Sequence, residues 1–275
     1  MANWHLVGMW FKGFYLLYFA AVLLYLYFVL RRRPSPLPEI ALGAAFLLNS
    51  IEIGRAWIRS GQPPFQSLFQ SLLFLTWSIT LFTFLARSLT KLRILGLFTA
   101  LASFLALNVA LLKVDMLEVL MPPALRSVWF IPHVVLYFFG YGALFVSFVT
   151  AGLYFKYPVA RQIAKSYWLG FEEIDFEAFT YEAVKFGFLL LTLGLFIGAV
   201  WAERAWSAYW SWDPKENWAL ITWLIYLTYL HLRRSPKWRG KPSSIFALIG
   251  FLAVLFTYIG VNYLPTIAEA LHVYQ

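Results

Sequence analysis

Residues 14–30 read FYLLYFAAVLLYLYFVL, without a single charge, and run directly into Arg31, Arg32 and Arg33. A helix rising 1.5 Å per residue needs roughly 20 largely apolar residues to cross the hydrocarbon of a bilayer, so this stretch reads as a membrane span. Comparable runs recur at Leu37–Ile53, Leu68–Ala86, Leu92–Leu112, Val128–Phe155, Ala183–Val200, Trp218–Leu232 and Ser244–Tyr263. Lipid cannot satisfy backbone polar groups, which restricts spanning structures to helices and closed barrels. The runs are continuously apolar where barrel strands would alternate, and that selects helices. The expected fold is all-α: a polytopic membrane bundle of about eight helices forming one domain over residues 1–275.

Composition agrees with this reading. The chain is 61% hydrophobic and 13% charged, against about 25% charged residues in a soluble domain. It contains no cysteine, which excludes disulfides, thiolate metal sites and cysteine nucleophiles, so any thiol chemistry must use the thiols of a partner. The net charge of +9 would suggest nucleic acid in a soluble protein. In a polytopic one it reads as the lysine and arginine excess of cytoplasmic loops, and no nucleic-acid partner is expected. Residues 14–30 lack a preceding basic cluster and end in arginines where a cleavage site would have small residues, so they read as the first span and not as a leader.

The basic residues also give an orientation. Arg31 to Arg33, then Arg87, Lys91 and Arg93, then Lys156, Arg161 and Lys165, then Arg233, Arg234, Lys237, Arg239 and Lys241 fall in alternate loops. Placing those loops inside puts both termini outside. The long inner connection carries Glu172, Glu173, Asp175 and Glu177 and reads as a surface helix or loop with no assigned chemistry. The outer segments are residues 55–67, 113–127 and 201–217.

The last of these, continued into the seventh span, is unusual. From 201 the chain runs WAERAWSAYWSWDPKENW, placing Trp201, Trp206, Tyr209, Trp210, Trp212 and Trp218 within eighteen residues. Tryptophan and tyrosine favour the headgroup level of any membrane protein, so an interfacial belt is the plain structural reading. Belts are scattered over many helix ends, whereas here the rings gather in one re-entrant or surface stretch able to stack a large planar ligand. Asp213, Pro214 and Glu216 read as a capping box opening the seventh helix. Arg204 and Lys215 could pair with the carboxylates of a ligand or snorkel to lipid phosphates.

The segment 201–218 resembles the WWD motif of the haem-handling protein superfamily. Its PKE continuation and the following ITWLIYLTYLHLR are similar to the CcsA branch, also called ResC, of the two-component cytochrome c synthase. The likeness extends through WFIPHVVLYFFGYGAL and the closing VNYLPTIAEALHVYQ. Ser207 stands where that family usually has glycine. In the stretch PFQSLFQSLLF, Ser67, Phe69 and Gln70 replace an asparagine, a tyrosine and a glutamate, so no polar role is carried onto that outer loop.

His133, at the outer start of the fifth span, and His272, beyond the eighth, share the level of the tryptophan segment. Neutral imidazole is a common metal ligand and haem iron accepts it axially, though a lone interfacial histidine is more often polar decoration. His231 lies at the inner end of the seventh helix, where a cation can satisfy terminal carbonyls. The resemblance implies more. It makes His133 and His272 the two ligands of an external haem and His231 a ligand of an inner, membrane-embedded haem. It further implies haem b (iron protoporphyrin IX) as cofactor, with Trp201, Trp206, Tyr209, Trp210, Trp212 and Asp213 in its site. Its partners are then a ResB/CcsB-like membrane subunit and apocytochrome c. The expected role is presentation of haem at the outer face for covalent attachment, as a component of a holocytochrome c synthase in a bacterial inner membrane or a thylakoid membrane. The competing class is a transporter or quinone-binding subunit with a structural aromatic belt. A transporter would place ionisable residues deep in its spans, and few are found there beyond Glu52 near an outer end.

Overall fold

In the computed structural model, which describes residues 4–31, 33, 35–113, 123–156 and 174–264, the apolar runs form eight helices. They are α1 (Met9–Arg31), α2 (Leu37–Ser60), α3 (Leu68–Thr90), α4 (Ile94–Leu112), α5 (Phe130–Lys156), α6 (Phe176–Trp206), α7 (Pro214–Leu232) and α8 (Lys241–Tyr258). Seven are long and apolar enough to cross a membrane. The exception is α7, whose first turn holds Lys215, Glu216 and Asn217 and whose body is rich in tryptophan and tyrosine. The helices divide into two compact units, α1–α4 and α5–α8.

In the first unit α1 packs on α2 and α4, and α3 on α4 and α2. Isolated polar side chains within the apolar runs meet here as a buried seam. Tyr18 Oη pairs with Thr80 Oγ1 at 2.9 Å, Asn49 Nδ2 donates to Thr76 Oγ1 at 2.9 Å and to the Leu73 carbonyl at 3.1 Å, and Thr83 meets Thr99 at 2.5 Å. All of these side chains are buried. Near the chain level of Arg31, Arg87 bonds Glu39 at 3.1 Å. Ser67 caps α3 by accepting from the Gln70 amide at 3.2 Å, and the Gln70 side chain in turn accepts from the Gln66 amide at 3.0 Å. A polar role therefore does exist in that loop: serine and glutamine are capping residues, as are the asparagine and glutamate they replace.

In the second unit the central contact is α5 on α6, made close by small residues. A Cβ added at Gly187 would come within 2.6 Å of Leu144 Cγ and 3.3 Å of the Gly140 carbonyl, the backbone approach that membrane helices use in place of a hydrophobic driving force. Thr150 meets Thr180 at 2.8 Å across the same pair. Trp223 Nε1 donates to Thr192 Oγ1 at 2.8 Å, joining α7 to α6, and Thr222 meets Thr257 at 2.9 Å, joining α7 to α8.

The sixth helix is longer than its apolar run. It starts at Phe176, where Asp175 Oδ1 accepts from the amides of Glu177 and Ala178 at 3.0 Å. Glu177, read from sequence as part of a connection without chemistry, is an anchor: Arg233 holds it with two bonds of 2.8 Å, and Ser243 donates to it at 3.2 Å. The Arg233 guanidinium also lies 3.7 Å from the centre of the Tyr181 ring. A planar fork on a carboxylate, stacked on an aromatic face, suits an ion pair withdrawn from water.

Candidate functional site

The tryptophan segment proves to be three local structures. Trp201 and Trp206 belong to the last two turns of α6, not to a loop. Residues 207–213 form the connection, and α7 starts at Pro214. Ser207 ends α6 in the left-handed region at φ +59°, its amide donating to the Glu203 carbonyl at 2.8 Å. That conformation is the one glycine adopts at helix C-termini without a Cβ penalty, so the glycine that the resemblance leads one to expect here would suit the backbone.

The capping box expected at Asp213 is present. Asp213 Oδ1 accepts from the Lys215 amide at 2.9 Å, while Glu216 Oε2 accepts from the amides of Asp213 at 3.2 Å and Ser211 at 2.7 Å. Ser211 Oγ also donates to the Glu216 carboxylate at 3.1 Å. Both acids are buried. Just ahead of them Trp212 takes φ +59°, which is rare for so bulky a residue, and its carbonyl accepts from Asn217 Nδ2 at 2.8 Å. This clamped turn projects Trp212, 69% exposed, and Tyr209, 63% exposed, outward. Trp210 meets Trp212 edge to face at 6.0 Å, and its Nε1 is a buried donor without a hydrogen-bond partner among the described residues. Trp218, by contrast, turns inward onto Phe256 of α8 with ring centres 4.1 Å apart.

His133 enters the same end of the unit from the first turn of α5. Its Nδ1 lies 2.9 Å from the Gly194 carbonyl of α6. A carbonyl only accepts, so Nδ1 carries the hydrogen, and in the neutral ring Nε2 is then the lone-pair nitrogen, the tautomer that ligates a metal. Trp201 stacks on the imidazole at 5.4 Å and 23°, and Tyr137 meets it edge on at 5.0 Å. Trp206 meets Trp201 edge to face at 4.9 Å. The structure thus joins His133 to Trp201 and, through it, to Trp206.

His231 is not brought to this cluster. It is exposed on the last turn of α7, about 27 Å along the helix from Asp213 at 1.5 Å per residue. His272 lies outside the described residues. Among those described, no three or more His, Asp or Glu side chains gather as a metal-binding group, so ligation of a metal here would rest on single histidines. Arg204 is exposed and pairs with the neighbouring Glu203 at 3.4 Å. Burial pushes the Lys215 ammonium, in the polar first turn ahead of the apolar part of α7, down to about 8, with the Asp213 carboxylate opposing that shift. Haem fits this residue set: an imidazole in the ligating tautomer, exposed aromatic rings on the turn that follows α6, and an indole N–H, unpartnered among the described residues, able to bond a carboxylate.

Comparison with known proteins agrees with the geometry. Residues 65–268 match the family model of the cytochrome C assembly protein. The cytochrome c biogenesis protein CcsA of Guillardia theta is 35% identical over 251 residues, covering 84% of this chain and 82% of that protein. CcsA of Chlamydomonas reinhardtii is 37% identical over 255 residues, covering 90% and 70% respectively. CcsA of a Prochlorococcus marinus strain is 36% identical over 268 residues, covering 84% and 82%. The chain therefore belongs to the cytochrome c assembly protein family, a haem-involving family, and its role is in cytochrome c biogenesis.

Proposed function

We propose that the chain presents haem b at the outer face of the membrane for covalent attachment to apocytochrome c, with His133 and His272 as the residues that would hold its iron. The observation that carries this reading is the state of His133, tied through Nδ1 to the Gly194 carbonyl and stacked on Trp201. An imidazole fixed in tautomer and plane before its ligand arrives is prepared to coordinate. When bound, haem supplies vinyl groups across which a cysteine S–H adds, forming a C–S and a C–H bond without net electron transfer. The protein's own part is to hold and orient. Trp201 and Trp206 support the ligand histidine, Tyr209 and Trp212 offer exposed ring surface, and Trp210 Nε1 offers a donor to a haem carboxylate. Asp213 and Glu216 keep the turn in shape. The chain is in this sense a component of a haem lyase and contributes no nucleophile.

His231 belongs in this reading to a second, inner haem. With both termini outside, the other three histidines lie on the outer side, so the inner iron needs its second ligand from another polypeptide, assigned here to a ResB/CcsB-like subunit. The host membrane would be a bacterial inner membrane or a thylakoid membrane. One experiment tests the whole: purify the chain alone and with that partner from a haem-replete host, and compare visible spectra of wild type, His133→Gly, His272→Gly and His231→Ala. A Soret band lost in the two glycine variants and partly restored by imidazole is expected, with the His231 effect seen only in the complex. Unchanged spectra in both glycine variants would refute the external ligands, and a six-coordinate haem dependent on His231 in the chain alone would refute the shared site.

A further inference from the structure

Gly187, Gly194 and Gly198 lie on one face of α6, spaced by seven and then four residues, and this face packs on α5. They do different things there. A Cβ at Gly187 would press on Leu144 at 2.6 Å and one at Gly194 on Tyr137 at 2.8 Å, whereas one at Gly198 would overlap the His133 ring itself, at Cε1 and Nδ1. The imidazole thus lies directly on the bare backbone of Gly198. It reaches the Gly194 carbonyl one turn back and stacks on Trp201 one turn ahead.

We infer that Gly198 is a positioning residue for the external iron ligand: its missing side chain is the seat that lets His133 lie against α6, give Nδ1–H to the Gly194 carbonyl and keep Nε2 as the lone-pair nitrogen. This rests on the reading of His133 as a haem ligand. A side chain at 198 must lift the ring off the helix. Lifting it lengthens the bond from Nδ1 to the Gly194 carbonyl and parts the imidazole from Trp201. The partner so lost is a neutral backbone carbonyl, which no substitution of a side chain can supply from elsewhere. Gly198 therefore acts on the iron through His133, without touching the haem.

The test compares Gly198→Ala with Gly187→Ala, which inserts the same methyl into the same helix pair about three turns away from the histidine. Both full-length variants are purified with thermal midpoints recorded, titrated with haem, and read by the low-spin visible spectrum with and without imidazole. Loss of an outer-shell partner of a metal ligand weakens binding by about 10–100-fold. Gly198→Ala should show that loss and regain low-spin haem in imidazole as His133→Gly does, while Gly187→Ala should lower only the midpoint. In the double variant His133→Gly with Gly198→Ala, the second change should weaken haem no further, since it acts through a ring no longer there. The inference is overturned if Gly198→Ala binds haem no worse than Gly187→Ala, or if imidazole rescues His133→Gly and not Gly198→Ala. Normal haem in Gly198→Ala beside a defective His133→Gly removes the seat alone. Normal haem in His133→Gly removes the ligand assignment beneath it.

Discussion

Replacing Glu216 by alanine should release the turn that carries Trp210 and Trp212 while leaving the body of α7 intact. The carboxylate, on a residue 8% exposed, accepts from the Ser211 amide at 2.7 Å, the Asp213 amide at 3.2 Å and the Ser211 hydroxyl at 3.1 Å. A hydrogen bond to a charged group contributes about 1.5–3 kcal/mol, and with the longer bond near the lower limit the two amides together lose about 3–4 kcal/mol. Asp213 still accepts from the Lys215 amide, so the helix keeps one cap and the damage stays local. Amide hydrogen exchange at Ser211 reads this opening directly. At 1.4 kcal/mol per tenfold, protection should fall by roughly 100-fold or more. Glu216→Gln retains an acceptor oxygen and should cost about tenfold, the difference between charged and neutral acceptors. Exchange at Ser211 in Glu216→Ala within threefold of wild type would show that the carboxylate does not hold the turn.

Ser207→Gly should stabilise the protein: left-handed backbone costs an L-residue about 1–2 kcal/mol, glycine returns about 0.4–1 kcal/mol through the freer unfolded chain, and the net gain is about 0.5–1 kcal/mol. A thermal midpoint in detergent that does not rise would contradict the strain assigned to φ +59°. Lys215 gives a pH dependence. Burial penalises its ammonium and holds it at about 8 against the usual 10.5, so the penalty is present below pH 8 and is relieved as the pH rises from 8 to 10.5. The wild-type midpoint should climb over that window more than that of Lys215→Met, and parallel curves would refute the assignment.

The helices and the capping box were legible because both are local: a continuous apolar run and a D-P-K-E tetrapeptide declare themselves within a few residues. The start of α6 was not, because Glu177, Glu182 and Lys185 interrupt its apolar run. The available signal was Asp175, a capping residue ahead of a helical period. Glu177 itself gained meaning only from Arg233, 56 residues on, a distance no pattern spans. The site divides the same way. The tryptophans drew notice by density, but their separate duties, with Trp218 packed inward and Trp212 projected, depend on backbone angles and neighbouring helices. That His133 would rest on Gly198 could not be read from either residue, since glycines on a membrane helix face signal close packing without naming what approaches.

The seam of Tyr18, Asn49, Thr76, Thr80, Thr83 and Thr99 has a consequence for assembly. Helices are inserted into the bilayer before they associate, and in hydrocarbon an apolar cylinder such as α1 or α3 can spin about its axis with little change in energy. Each such pairing within a membrane contributes only about 0.6 kcal/mol, so the seam adds little to the adhesion of the four helices. What it sets is their azimuth: a turn of one helix by 100°, a single residue's step, carries Asn49 away from Thr76 and Tyr18 away from Thr80. Leucine and threonine at those positions would give bundles that adhere comparably, but only the second would lock like the wards of a key.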